Sequence, residues 1–160
     1  LRDAEKLIQL ASNVAGPMFR QQRRLLPMYH ALGANGQHAI IPLPPDEKDA
    51  WPVIAKAAFK EIDAVAFVFI SEAWIREMTP ATRDEAMRLR DEWLQRGIAN
   101  DPLRKEVVVF NAEDDQGGLC GHRPIIRHKG RPHLGELEVE TFTESEGRMV
   151  GLLPVRGTVQ

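Results

Sequence analysis

Ser71-Glu72-Ala73-Trp74 directly follows the most apolar run of the chain, Ala64 to Ile70. Burial disfavours a charged carboxylate and raises its pKa, so Glu72 at the exit of a buried strand is a candidate acid or base. Ser71 and Trp74 would line a ligand pocket beside it. The competing structural role is an ion pair of Glu72 with an arginine and a core cap by Trp74. A second set of chemistry-bearing residues lies late in the chain. Cys120, His122, His128 and His133, with Asp114 and Asp115 upstream, are the atom types that bind zinc or another divalent metal. His122 and His128 are six residues apart with Pro124 between them, roughly 20 Å in extended chain, too far to share one ion. Cys120 and His122 can meet at a loop. Glu113-Asp114-Asp115 has the oxygen chemistry for Ca²⁺ or Mg²⁺ but not the spacing of an EF-hand, and reads first as a solvated acidic turn.

Arg20, Arg23 and Arg24 form the one tight basic cluster, a candidate phosphate or nucleic-acid contact set against a solvated turn. His30 and His38 flank a turn and are assigned no role. Pro42-Leu43-Pro44-Pro45 reads as a stiff connector rather than a polyproline ligand. The chain has no phosphate-binding Gly-x-x-x-x-Gly-Lys-Ser/Thr, no His-Glu-x-x-His, no Gly-x-Ser-x-Gly and no Cys-x-x-Cys.

The composition narrows the setting. The chain has 160 residues, with 21 basic and 23 acidic side chains and a formal net charge of −2. By segment the charge is +3 for residues 1–45, −6 for 46–116 and +1 for 117–160. No dominant basic character marks a dedicated nucleic-acid binder, so nucleic acid is not the expected partner. The single cysteine excludes an intramolecular disulfide and fits a reducing compartment. No run reaches the roughly 18–20 apolar residues that cross a bilayer. Residues 1–15 lack a basic region followed by a long apolar core, so no signal peptide is expected and the expected location is cytoplasmic.

These residues must be positioned by a few elements. Ala4, Leu7, Ile8, Ala11 and Val14 repeat at helical spacing, with Gly16-Pro17 as the expected stop. Met28–Leu32 and His38–Ile41 around Asn35-Gly36 predict a β-hairpin. A helix follows with Pro52 in its first turn, Asp49 as cap, and Trp51, Ile54, Ala55, Ala58 and Ile62 on one face. Residues 64–70 are apolar at every position, the pattern of a central strand covered on both sides. Thr79-Pro80 opens a charged helix to Arg96, with Ala86, Leu89 and Trp93 as its narrow apolar stripe and Gly97 as its stop. Strands are then expected at 105–112, at 124–128, through Leu134, Leu137, Val139 and Phe142, and at 149–153 after a Glu146-Gly147 turn. Gly117-Gly118 should break the chain. Helices early and strands late predict an α+β fold. The expectation is one domain over 1–154, a mainly antiparallel sheet of a hairpin plus a C-terminal meander, two or three helices packed on one face, and a flexible tail at 155–160.

Phe67-Val68-Phe69-Ile70-Ser71-Glu72-Ala73-Trp74, followed by Arg104-Lys105-Glu106-Val107-Val108-Val109 and Ala112-Glu113-Asp114, is similar to a group of small, uncharacterised bacterial and phage-associated proteins. The resemblance covers roughly residues 64–140. It implies a bacterial or phage setting in the cytoplasm and carries no activity, cofactor or catalytic residue. The leading expectation is a binding or accessory protein that works without catalysis or cofactor, on an unknown protein partner or as a homodimer, away from membranes. The rival is a small hydrolase or metal-dependent enzyme using Glu72, or Asp114 and Asp115, with His122 and Cys120. A third reading is a nucleic-acid accessory protein using Arg20, Arg23 and Arg24.

Overall fold

The computed structural model describes residues 1–75, 83–97, 104–128, 130–141 and 153. In chain order these form α1 (Asp3–Gln22), β1 (Met28–Gly33), β2 (His38–Pro42), α2 (Trp51–Ile62), β3 (Ala64–Ile75), α3 (Arg83–Arg96), β4 (Lys105–Asp114), β5 (Gly117–Ile126), β6 (His133–Leu134) and β7 (Glu138–Thr141). The expected α+β class with an antiparallel sheet is what is found. The spatial order is β2-β1-β3-β4-β5, and β6 and β7 follow one another along the outer edge of β5.

The alternation of β3 decides where the helices go. Ala66, Val68 and Ile70 point to one face, where Leu7, Ile8, Ala11 and Phe19 of α1 pack with Val108 and Phe110 of β4. Phe67 and Phe69 point to the other, against Tyr29 of β1 and Trp51, Ala55 and Phe59 of α2. Tyr29, Phe59 and Phe67 meet edge-on or stacked at 5.0–5.6 Å. Helices on a single face were the expectation. The structure corrects this, because a strand apolar on both faces needs a cover on each.

Four local boundaries also differ from expectation. Helix α1 continues through Gly16-Pro17 to Gln22, because Ala15 and Phe19 extend its buried face; Phe19 is fully buried. It ends where Arg23 turns left-handed (φ 63°) and donates its N–H to the Phe19 carbonyl. Helix α2 is entered from a 3-10 turn at Lys48–Ala50, with Ala50 rather than Asp49 at the cap position. Strand β3 extends to Ile75, so Ser71–Trp74 are strand residues paired with β4, not an exit loop. Strand β5 runs unbroken through Pro124.

The hairpin forms as expected, with Gly36 at φ 86° closing it. The start of the charged helix at Thr79-Pro80, its side chains Ala86, Leu89 and Trp93, and the segments 142–152 and 154–160, with Phe142 and the expected last strand, lie outside the described residues. No helix among the described residues is long and apolar enough to cross a membrane.

Candidate functional site

Pro124 shapes the first site. It has no N–H to give to a neighbouring strand, and it sits between the β6 pairing at Ile125–Ile126 and the β7 pairing at Leu119–His122. The outer edge of β5 is therefore split, and the carbonyls around the gap need donors. Arg123 supplies them. Its Nε donates to the Gly135 carbonyl (2.7 Å), Nη2 to Leu134 (3.2 Å) and Nη1 across to Ser12 of α1 (2.9 Å). The helix permits this approach because residue 16 is glycine: a Cβ there would lie 3.1 Å from Arg123 Nη1. The next residue, Pro17, has no N–H for its own helix ladder.

The result is a cleft of about 550 Å³ between the C-terminal half of α1 and the β5–β6 edge, lined by Arg20, Gln21, Arg123, Arg131, His133 and Asn13. No carboxylate lines it, and none of its three arginines makes an ion pair among the described residues. Burial lowers the pKa of the Arg123 guanidinium. Among the described residues its charge therefore has no counter-charge, and an arginine stays protonated. His133 Nδ1 lies 3.0 Å from the Arg131 carbonyl. A carbonyl only accepts, so Nδ1 is the donor there, and Nε2 of the neutral ring is an acceptor that offers an anion no hydrogen bond. Three guanidinium groups around a space of this size suit an oxyanion of small-molecule dimensions.

A second cleft, about 470 Å³, opens at the ends of β3, β4 and β5, where Trp74 is paired with Glu106. It contains Glu72, Trp74, Glu106, Ile125, Arg127 and Lys48. Arg127 Nε donates to Glu106 at 2.7 Å, and this bond lowers the Glu106 pKa, with a smaller contribution from the Trp74 indole N–H. Trp74 is 42% exposed, with the Arg104 guanidinium 5.1 Å from its ring centroid. Partial burial raises the Glu72 pKa, opposed by Arg127 and by the Leu25 backbone N–H. Glu72 and Trp74 therefore line one cleft. Ser71 does not: it is on the opposite face of β3, its hydroxyl on the Glu72 carbonyl at 3.1 Å.

The other candidates do not converge. Asp114 is buried and accepts from Arg2 (2.6 and 3.2 Å), the Ala4 N–H (3.1 Å) and the Gln116 N–H (2.8 Å), which joins the start of α1 to the β4–β5 turn. It lies six residues along β4 from Val108, the partner of Glu72, or roughly 20 Å away. Asp115 is exposed in the same turn. His122 pairs with Val109, which places it on the face opposite Glu72, with Nε2 3.2 Å from Glu138. Cys120 shares that face; burial and then Glu140 raise its thiol pKa. No group of three or more His, Cys, Asp or Glu side chains is placed to hold a metal among the described residues. Of the basic cluster, only Arg20 joins the cationic cleft. Arg23 ends α1, and Arg24 is close enough to Glu72 to lower its pKa.

Sequence reasoning missed Arg123 and Arg131, and it placed His133 in a metal set. It also passed over the His30–His38 pair, whose Nε2 and Nδ1 lie 2.8 Å apart. The hairpin register does not put these two directly opposite, since His30 faces Ile40 and His38 faces Leu32, but the diagonal brings them into contact. The available signal was Pro124 next to Arg123, a proline that cannot complete a ladder beside a side chain able to satisfy the carbonyls it leaves. No family model matches this chain, and no curated protein or solved structure matches it either.

Proposed function

We propose that the protein is a binding protein that holds an anionic, phosphate-bearing ligand in the cleft between α1 and the β5–β6 edge, without carrying out chemistry on it. The observation that carries this reading is the Arg123 guanidinium. It is half-buried and anchored by three backbone carbonyls, and Arg20, Arg131 and His133 surround the same space with no carboxylate among them. A cation held rigidly by neutral acceptors keeps its full charge for a ligand. The separation of Glu72, His122 and Asp114 onto different faces and ends of the sheet favours binding over a shared catalytic centre.

Calorimetric titration with inorganic pyrophosphate tests the reading. Binding is expected to weaken when salt is raised from about 50 to about 200 mM, and to weaken about tenfold or more in Arg131→Ala and Arg20→Ala, because hydrogen bonds to charged groups contribute about 1.5–3 kcal/mol each. Pyrophosphate binding that ignores both substitutions would refute it. Arg123 is left intact because its loss would also open the fold.

A further inference from the structure

The two clefts open on one face of the sheet. Arg123 lines the first and Ile125 and Arg127 line the second, and these are alternate residues of one extended segment, so the whole run spans roughly 13 Å. The clefts differ in chemistry. The first has cations and no carboxylate. The second has a half-exposed indole with a guanidinium over it, and the carboxyl groups of Glu72 and Glu106 at its wall. Glu106 is engaged by Arg127 and by the indole N–H, which fixes the plane of Trp74. Glu72 lines the same cleft with part of its surface exposed, and it accepts from the Leu25 N–H.

A phosphate is attracted to the first cleft, whereas in the second Glu72 and Glu106 balance Lys48 and Arg127 and leave no net positive charge to hold it. A nucleobase fits the second: it is uncharged, it stacks on an aromatic face, and its exocyclic amine donates to a carboxylate. We infer that the two clefts together bind single-stranded nucleic acid, the backbone phosphates against Arg20, Arg123 and Arg131 and a base stacked on Trp74 with its edge toward Glu72. A single strand is required because a base inside a duplex has no free face to offer an indole. This inference rests on the anion-binding reading above and adds the ligand class to it.

The test is the affinity of the whole chain for a single-stranded oligodeoxyadenylate, whose bases carry the exocyclic amine, and a mixed-sequence oligonucleotide of about 12 nucleotides, beside the same mixed sequence as duplex, heparin and inorganic pyrophosphate. The single strands are expected to bind more tightly than pyrophosphate and than duplex, and to quench indole fluorescence. Trp74→Ala should weaken them roughly five- to a hundredfold while leaving pyrophosphate binding unchanged. Trp74→Phe, which keeps an aromatic face, should recover part of the loss. Arg131→Ala should lower the salt dependence of binding by about one ion.

Pyrophosphate binding together with oligonucleotide affinity indifferent to Trp74 would overturn the inference and leave the anion-binding reading standing. Duplex or heparin bound as tightly as the single strand would overturn it too, in favour of a general polyanion surface. Failure of every anion to bind would remove both.

Discussion

Asp114 has the residue type of a metal ligand and the surroundings of a structural clamp. Each oxygen already accepts two hydrogen bonds: Oδ1 from Arg2 and the Gln116 N–H, Oδ2 from Arg2 and the Ala4 N–H. Burial acts to raise its pKa, but the hydrogen bonds from Arg2, Ala4 and Gln116 outweigh it, and the carboxyl lies below its ordinary value. The unfolded chain therefore takes up the proton first as the pH falls. Stability from this group is fully present above the ordinary carboxylate value, about 4, and is lost as the pH drops through the lower folded value. Asp114→Asn is expected to cost roughly 2–4 kcal/mol at neutral pH, since it strands Arg2 beside a buried neutral amide. Urea unfolding of both proteins checks this: the gap should narrow steadily below about pH 4, and a gap independent of pH would show that the charge contributes nothing. At this scale the residue types were legible, but their partners were not. Arg123 and Ser12 are 111 positions apart, and nothing local to either one announces the other.

The elements followed their apolar patterns more faithfully than their punctuation. The hairpin, α2 and the two-faced strand β3 could be read from spacing alone, since each pattern is regular over the whole element. Gly16-Pro17 reads as a break and Pro124 as the start of a separate strand, yet α1 passes through the first and β5 through the second, whereas the expected break at Gly117-Gly118 falls at the β4–β5 turn where β5 begins. At both prolines tertiary packing outweighs the local preference: Ala15 and Phe19 are buried against the sheet, and β5 is paired to β4 along Gly117–Pro124. The cost at Pro17 and Pro124 is local and takes the form of missing N–H groups, both beside the cationic cleft. Pro17→Ala restores an N–H opposite the Asn13 carbonyl and removes the ring's clash with it. It is expected to stabilise the protein by about 1–3 kcal/mol, the helix penalty of proline less its restriction of the unfolded chain. The same substitution should weaken pyrophosphate binding, since residues 13, 16 and 17 all line the cleft. Chemical denaturation paired with the pyrophosphate titration reads both effects, and a destabilised Pro17→Ala would mean that the proline ring packs better than the lost ladder bond costs.

Across the whole molecule, a formal net charge of −2 conceals a polar arrangement along α1. The helix has 20 residues and is about 30 Å long. Asp3 and Glu5 stand in its first turn, beside Glu113, Asp114 and Asp115 of the β4–β5 turn that Arg2 and Ala4 contact. Arg20, Arg23 and Arg24 stand at its far end, where Arg20 shares a cleft with Arg123 and Arg131 that has no carboxylate, while Arg127 beyond it is paired with Glu106 beside Glu72. The ends are separated by almost four Debye lengths, about 8 Å each at physiological salt, so neither end cancels the other's local field. Segment sums of +3, −6 and +1 hint at unevenness, but they cannot say that residues 20 and 131 share one pole, because that depends on the antiparallel return of β5 beside α1. A chain with pI near 6.2 should pass through a cation-exchange resin at neutral pH if only its net charge mattered. Retention is expected instead, because a resin samples the local pole and not the sum. Arg20→Ala and Arg131→Ala should each elute at lower salt, whereas removing a cation of the opposite end, such as Lys6→Ala, should leave the elution unchanged. Flow-through of the unmodified protein would mean that the acidic half dominates the field at every approach, and the cleft would then have no long-range means of drawing an anion in.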